Sequence, residues 1–184
     1  MRDPLLKTYK EGDSDSVINL LTQFKKDNNN PLLETPAPVP ASEAGRDGRF
    51  IDNNNGTVTD TGAGLMWTAK DNGSDIDWQN AKIYCESYRG GGYTDWRMPT
   101  QGELAGLYET SKFQKVKCGS SPNHIATDLI HLTCWWVWAS GMRRGSDREW
   151  VSEAAYFGFD SGNRSWNLWS GTSYRRALPV RFVK

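Results

Sequence analysis

Gly91-Gly92-Tyr93-Thr94-Asp95-Trp96-Arg97-Met98-Pro99-Thr100, with Glu103-Leu104 close behind, packs several backbone instructions into one short run. The glycines stop whatever helix precedes them, Pro99 forbids a helix that starts earlier, and Thr100 with Glu103 forms the spacing of a capping box. Leu104 and Leu107 then fall on the inward face of the helix that follows. Asp95 and Arg97 flank Trp96, and an arginine beside a buried ring can satisfy carbonyls or pair with a carboxylate while its stem covers the ring. Trp96, Arg97 and Pro99 therefore read as structural: they supply a strand end, a turn and a cap, not a pocket.

Upstream, Asp77 is placed to cap a helix on which Trp78, Ala81 and Cys85 share one face. Further back, Phe50-Ile51-Asp52 and Thr57-Val58-Thr59 flank Asn53-Asn54-Asn55-Gly56, a hairpin signal because both central positions of an Asn-Gly turn need positive φ. Gly64-Leu65-Met66-Trp67 continues as a buried strand. Downstream, residues 112–130 have little periodicity. Candidate strands follow at Thr133–Ser140, Trp150-Val151, Ala155–Phe159 and Ala177–Val183. At the other end, Val17, Leu20, Leu21 and Phe24 lie at helical spacing between Ser14 and Asp27, and Thr35-Pro36-Ala37-Pro38-Val39-Pro40 is a semi-stiff extended linker. The expected organisation is a helical segment over 1–30, a Pro-rich linker over 31–48 and one folded domain over 49–184.

Composition narrows the function. The 184 residues carry 22 Lys plus Arg against 22 Asp plus Glu, so a broad electrostatic footprint for nucleic acid is not expected. Nothing approaches the roughly 18–20 apolar residues of a membrane span, and the first residues lack the apolar run of a signal peptide. The expectation is no membrane insertion, and a cytoplasmic or virion-associated protein in preference to a secreted one. Cys85, Cys118 and Cys134 are too widely spaced to suggest zinc or a redox pair, leaving either one disulfide or three thiols. Nine Trp, seven Tyr and six Phe must supply much of the packing.

The hairpin Arg49–Asp60, the strand Gly64–Trp67, the helix residues Trp78, Ala81, Tyr84 and Cys85, the Gly91–Thr100 motif and Trp138-Ala139-Ser140 together resemble, in order, the DUF1566 or Lcl C-terminal domain family. The resemblance spans roughly Arg49 to Lys184, about three quarters of the chain, and several ordered motifs are more specific than any one. It implies an α+β, C-type lectin-like fold, with two helices packed on small antiparallel sheets behind the N-terminal helix. It also implies a prokaryotic or viral source. Many members end in Val-Arg-Cys-Val, whose Cys pairs with the Cys of the first helix. Here Val180-Arg181-Phe182-Val183 leaves Cys85 without that partner.

No catalytic set stands out. His124 and His131 lie in the weakly patterned segment with no nucleophile or metal spacing. Asp52, Asn54 and Gly56 make a good turn and only a faint calcium loop. Arg89-Gly90-Gly91-Gly92 lacks the lysine of a phosphate loop. Arg97-Met98-Pro99-Thr100 with Glu103 is also similar to the formylglycine-generating enzymes, whose chemistry needs a late cysteine pair absent here; a degenerate enzyme of that kind is one rival reading. The expectation is no enzyme, no cofactor and no metal.

Candidate ligand-binding residues gather late: Tyr156, Phe157, Phe159, Asp160, Asn163, Ser165, Trp166, Asn167, Trp169, Ser170, Thr172, Tyr174 and Arg175. Rings give contact area at low entropic cost, and small polar residues adapt their hydrogen bonds, the mixture of a binding paratope. The bland alternative is a hairpin whose rings bury inward. Within the resemblance, the stretch Ser161–Arg175 followed by Arg176–Arg181 looks like the variable cassette and constant tail of a diversity-generating retroelement target. The expected partner is a protein or glycan ligand, with adhesion to a surface polymer or assembly through the N-terminal helix into an oligomer as the rival.

Overall fold

The computed structural model describes residues 45–144 and 152–184. The helix expected at Ser14–Asp27, most of the linker and the Trp150-Val151 strand lie outside those residues. Five strands form the first sheet: β1 (Arg46–Asp47), β2 (Phe50–Asp52), β3 (Thr57–Asp60), β4 (Leu65–Thr68) and β9 (Val180–Phe182), in the order β1-β2-β3-β4-β9. All its pairs are antiparallel, so the C-terminal strand closes onto the N-terminal hairpins. The second sheet is β7-β6-β5-β8, from β5 (Trp136–Arg144), β6 (Ser152–Gly158), β7 (Arg164–Leu168) and β8 (Arg175–Arg176). Its β5–β8 pair is parallel.

The α+β, C-type lectin-like expectation is thereby corrected. The described residues are mostly β, in two sheets of which one curls like a half-barrel, with only two short α-helices. Those helices, α1 (Trp78–Ser87) and α2 (Gln101–Gly106), place only Ala81, Cys85 and Leu104 among their fully buried residues. The strands supply half of the large, fully buried side chains, Trp67, Val137, Trp138, Phe157 and Val180 among them, and the helices only Leu104. Helix signals are local and loud, whereas β7 (Arg-Ser-Trp-Asn-Leu) offers only the alternating pair Trp166 and Leu168 and β8 (Arg-Arg) no apolar residue, so both rely on the neighbouring strands that pair with them.

Local signals otherwise set the elements. Asp77 accepts from the Asn80 amide at 2.9 Å, and the Thr100–Glu103 capping box is complete, with Glu103 Oε2 taking the Thr100 amide at 2.8 Å. In the β2–β3 turn the positive φ angles fall on Asn54 and Gly56, not on the adjacent pair Asn55-Gly56, because the Asn55 carboxamide is turned to cap Thr57.

The Asp95–Thr100 segment ties the layers together. Arg97 and Val180 exchange both backbone hydrogen bonds (2.9 and 3.0 Å), Pro99 accepts from Ser140 of β5 at 2.8 Å, and the Arg97 guanidinium forks onto Glu103 at 2.6 and 2.9 Å. Trp96 is buried, its indole N–H on the Gly90 carbonyl. Where β5 bulges between Trp138 and Met142, its freed Ala139 carbonyl takes the Trp78 indole N–H at 2.7 Å, fixing α1 to the sheet.

Two outcomes are expected. Thr100→Ala lowers the unfolding free energy by about 1 kcal/mol and Leu104→Ala by about 2–5 kcal/mol in denaturant titrations, reflecting a lost cap and a core cavity. Asp95 is gripped by Arg181, whose hydrogen bonds hold its carboxyl down at about 2 against an ordinary 3.8. A lowered folded-state pKa gives stability that is complete above the unfolded value and lost as the pH falls from about 4 toward 2. Asp95→Asn should flatten the acid limb of the stability profile in that window; an unchanged slope would remove the clamp from the account.

Candidate functional site

Pairing register brings four side chains to one face of the second sheet. Trp138 stands opposite Tyr156, and Trp136 stands beside Arg175 across the parallel pair. Trp136 and Trp138, two residues apart, share that face. The result is a cage: the Arg175 guanidinium carbon lies 5.1 Å from the Trp136 ring centre and 5.0 Å from those of Trp138 and Tyr156. Gly158 stands opposite Trp136, where a Cβ would crowd Asp160 Oδ1 at 2.8 Å.

Arg175 is 3% exposed. Its Nη1 donates to the Ser173 carbonyl at 2.9 Å, while Nε and Nη2 have no hydrogen-bond partner. Burial lowers its pKa, opposed by Tyr156 and Asp75. Ring faces compensate part of that cost, each cation–π contact contributing roughly 0.5–2 kcal/mol.

Around the cage lies a cluster of rings. Tyr174, 44% exposed, packs at 5.3 Å on Trp135 and edge-on at 5.9 Å to Trp136, which in turn meets Tyr156 at 5.5 Å. Tyr174 adopts φ 62°, unusual for a bulky side chain. Its amide donates to Asp75 and its carbonyl accepts from Trp136, so both flanks hold it there. Trp135 is fixed from the other side by its indole N–H on the Ser121 carbonyl, within the loop closed by the Cys118–Cys134 disulfide. Cys85 is the free, buried cysteine, its thiol pushed up to about 12 by burial and so unreactive.

The thirteen expected residues divide sharply. Phe157 and Phe159 are sealed in the core and Arg175 is buried in the cage. Tyr156, Asp160, Ser165, Trp166 and Asn167 are half-buried. Trp166 packs against the main core beneath Arg143. Asn163, Trp169, Ser170, Thr172 and Tyr174 are exposed. Tyr156, Tyr174 and Arg175 come together through Trp136; Phe157, Phe159 and Trp166 face the opposite side. Trp135 and Trp136 were missed as site residues because the run Cys-Trp-Trp-Val-Trp reads as a buried strand. Trp135 lies just before β5, and both rings pack on Tyr174, a meeting that no local pattern signals.

Elsewhere, a groove of about 390 Å³ is lined by Trp78, Met98, Phe182 and the pairs Lys82–Glu86 and Arg97–Glu103. Its charges already satisfy one another. His124 and His131 lie outside both places. Among the described residues no group of three metal-ligating side chains converges, and no helix is long and apolar enough to cross a membrane.

Cys118→Ser is expected to lower stability by about 2–4 kcal/mol through the lost 16-residue closure. Dithiothreitol should reproduce that loss in the parent protein and add nothing in the variant; no loss in either would mean that the loop stands without its staple.

No curated protein matches the chain in sequence. The model of the Lcl C-terminal domain matches residues 56–182, from the first hairpin to β9, which contains every element of both sheets from β3 on. The chain therefore belongs to the Lcl C-terminal domain family.

Proposed function

We propose that the protein is a non-enzymatic, receptor-like binding protein whose β6–β7 hairpin and the loop leading to β8 contact a protein or glycan ligand. One observation carries the reading. Every residue from Ser161 to Tyr174 is exposed or half-buried, and every residue from Arg175 to Arg181 is buried. A surface segment thus abuts a core segment with no gradation, the arrangement in which side chains can vary without disturbing the frame. Tyr174 and Trp169 offer exposed rings, and Asn163, Ser170 and Thr172 surround them with adaptable donors and acceptors.

The same boundary, one residue inside the stretch 161–175 expected to vary, supports the finer proposal that residues 161–174 are rewritten by a retroelement while the tail from Arg175 is held constant. A near-identical repeat beside a reverse transcriptase gene, differing at adenines alone, is the expected genomic signature; a locus without one removes this part of the reading. The strongly shifted titratable groups fit a binding role: Cys85 is explained by burial and Asp95 by Arg181, and they share no cleft.

Replacing Trp169 and Tyr174 together by Ala should abolish binding to a ligand found on glycan and protein arrays and leave the melting temperature within a few degrees of the parent. Trp166→Ala should instead lower the melting temperature, because that ring packs on the core. Retained binding by the double variant would sink the surface assigned here.

A further inference from the structure

The two unpartnered atoms of Arg175, Nε and Nη2, are the two donors along one edge of the guanidinium. That edge is the fork that meets a carboxylate with two parallel hydrogen bonds. The same molecule shows the fork in use: Arg181 presents Nε and Nη2 to the two oxygens of Asp95, at 2.7 and 3.2 Å. At Arg175 the edge is vacant in a side chain 97% removed from solvent, and leaving buried charged donors unmet is costly. The nearby carboxylate, Asp75, is already taken by Arg176 and the Tyr174 amide.

Building on the binding role proposed above, we propose that the Arg175 fork receives a carboxylate on a slender stem, an aspartate or glutamate side chain of a protein ligand, entering past Trp136 and Tyr156. Those two rings are half-buried while Trp138 is sealed, so they form the side of the cage that can open. With the rings about 5 Å from the guanidinium carbon, a flat group lying in its plane is the occupant that displaces them least. A tetrahedral sulfate or phosphate would force them apart, and a uronate brings its pyranose ring directly behind the carboxylate. Arg176 is met by Asp71 and Asp75 and Arg143 by Glu153, so among the arginines of this sheet Arg175 is the buried one with unmet donors. Tyr174 and Trp169 would cover the remainder of such a ligand.

Propionate, the end of a glutamate side chain, is the probe, titrated into the ¹⁵N-labelled full-length chain while the Arg175 Nε–H resonance is followed. Propionate should shift that resonance saturably, propionamide should not, and sulfate and glucuronate should bind at least about tenfold more weakly. Arg175→Lys, which keeps the charge and loses the fork, should weaken propionate about tenfold or more, read from the Trp indole N–H signals. Should that variant fail to fold, the propionate–propionamide contrast in the parent still decides. An Arg175 resonance indifferent to propionate, or a response to sulfate or glucuronate equal to it, overturns the proposal. If Arg175 is indifferent while the Trp169 and Tyr174 double variant still loses its array ligand, only the carboxylate assignment falls; if the double variant keeps that ligand, the binding surface itself is refuted.

Discussion

The mutual backbone hydrogen bonds between Arg97 and Val180 are the contact on which the rest of the domain depends. They join the middle of the chain to its end and bring β9 beside β4. Through the bond from Ser140, in the middle of β5, to the Pro99 carbonyl, the segment around Arg97 also reaches the second sheet. An exchanged pair of amide bonds tolerates little shift in register, since sliding by one residue would take Val180 from the main core and Arg181 from its buried pairing with Asp95. The side-chain fork from Arg97 to Glu103 then fixes α2 to the same segment, and the capping box makes Glu103 serve both tasks.

The aromatic cage follows from that frame. A sheet whose β5 is central has both of its faces covered, so Val137 and Trp138 are buried on opposite sides although they are neighbours. Placing the two-residue strand β8 parallel to β5 puts Arg175 on the Trp136–Trp138 face and Arg176 on the other, where it meets Asp71 and Asp75. Burial pushes the Asp71 pKa up, opposed by the Thr133 and Gly73 donors, and Arg176 finds its direct partners in Asp75 and the Thr133 hydroxyl. Arg175 has no such partners. Two consecutive arginines thus have opposite energetic situations, one satisfied by carboxylates and hydroxyl, the other by ring faces with an open edge.

Sequence reasoning found the local devices: the caps at Asp77 and Thr100, the inward Leu104 and Leu107, and the structural character of Trp96, Arg97 and Pro99 all follow from nearest neighbours along the chain. It overstated the helices because capping and 3.6-residue periodicity are self-contained signals. Strands β7 and β8 are strands only by virtue of their partners. For the candidate site, composition singled out one stretch but could not sort its residues between core and surface. Phe157 and Phe159 lie at positions that pairing turns inward, and Tyr174 is turned outward by a left-handed backbone conformation that its flanking hydrogen bonds enforce.

What the amino-acid order determined alone was therefore membership of the family, the placement of helix ends and turns, and the existence of an aromatic, polar segment near the C-terminus. Tertiary structure decided which rings are seen by solvent, which cysteines pair, and that Arg175 is caged with two donors unmet. The physical reason is range. Caps and turns are closed by hydrogen bonds across a few residues, whereas exposure and cross-strand register depend on residues distant in sequence, such as Trp136 and Arg175, whose meeting no local pattern encodes.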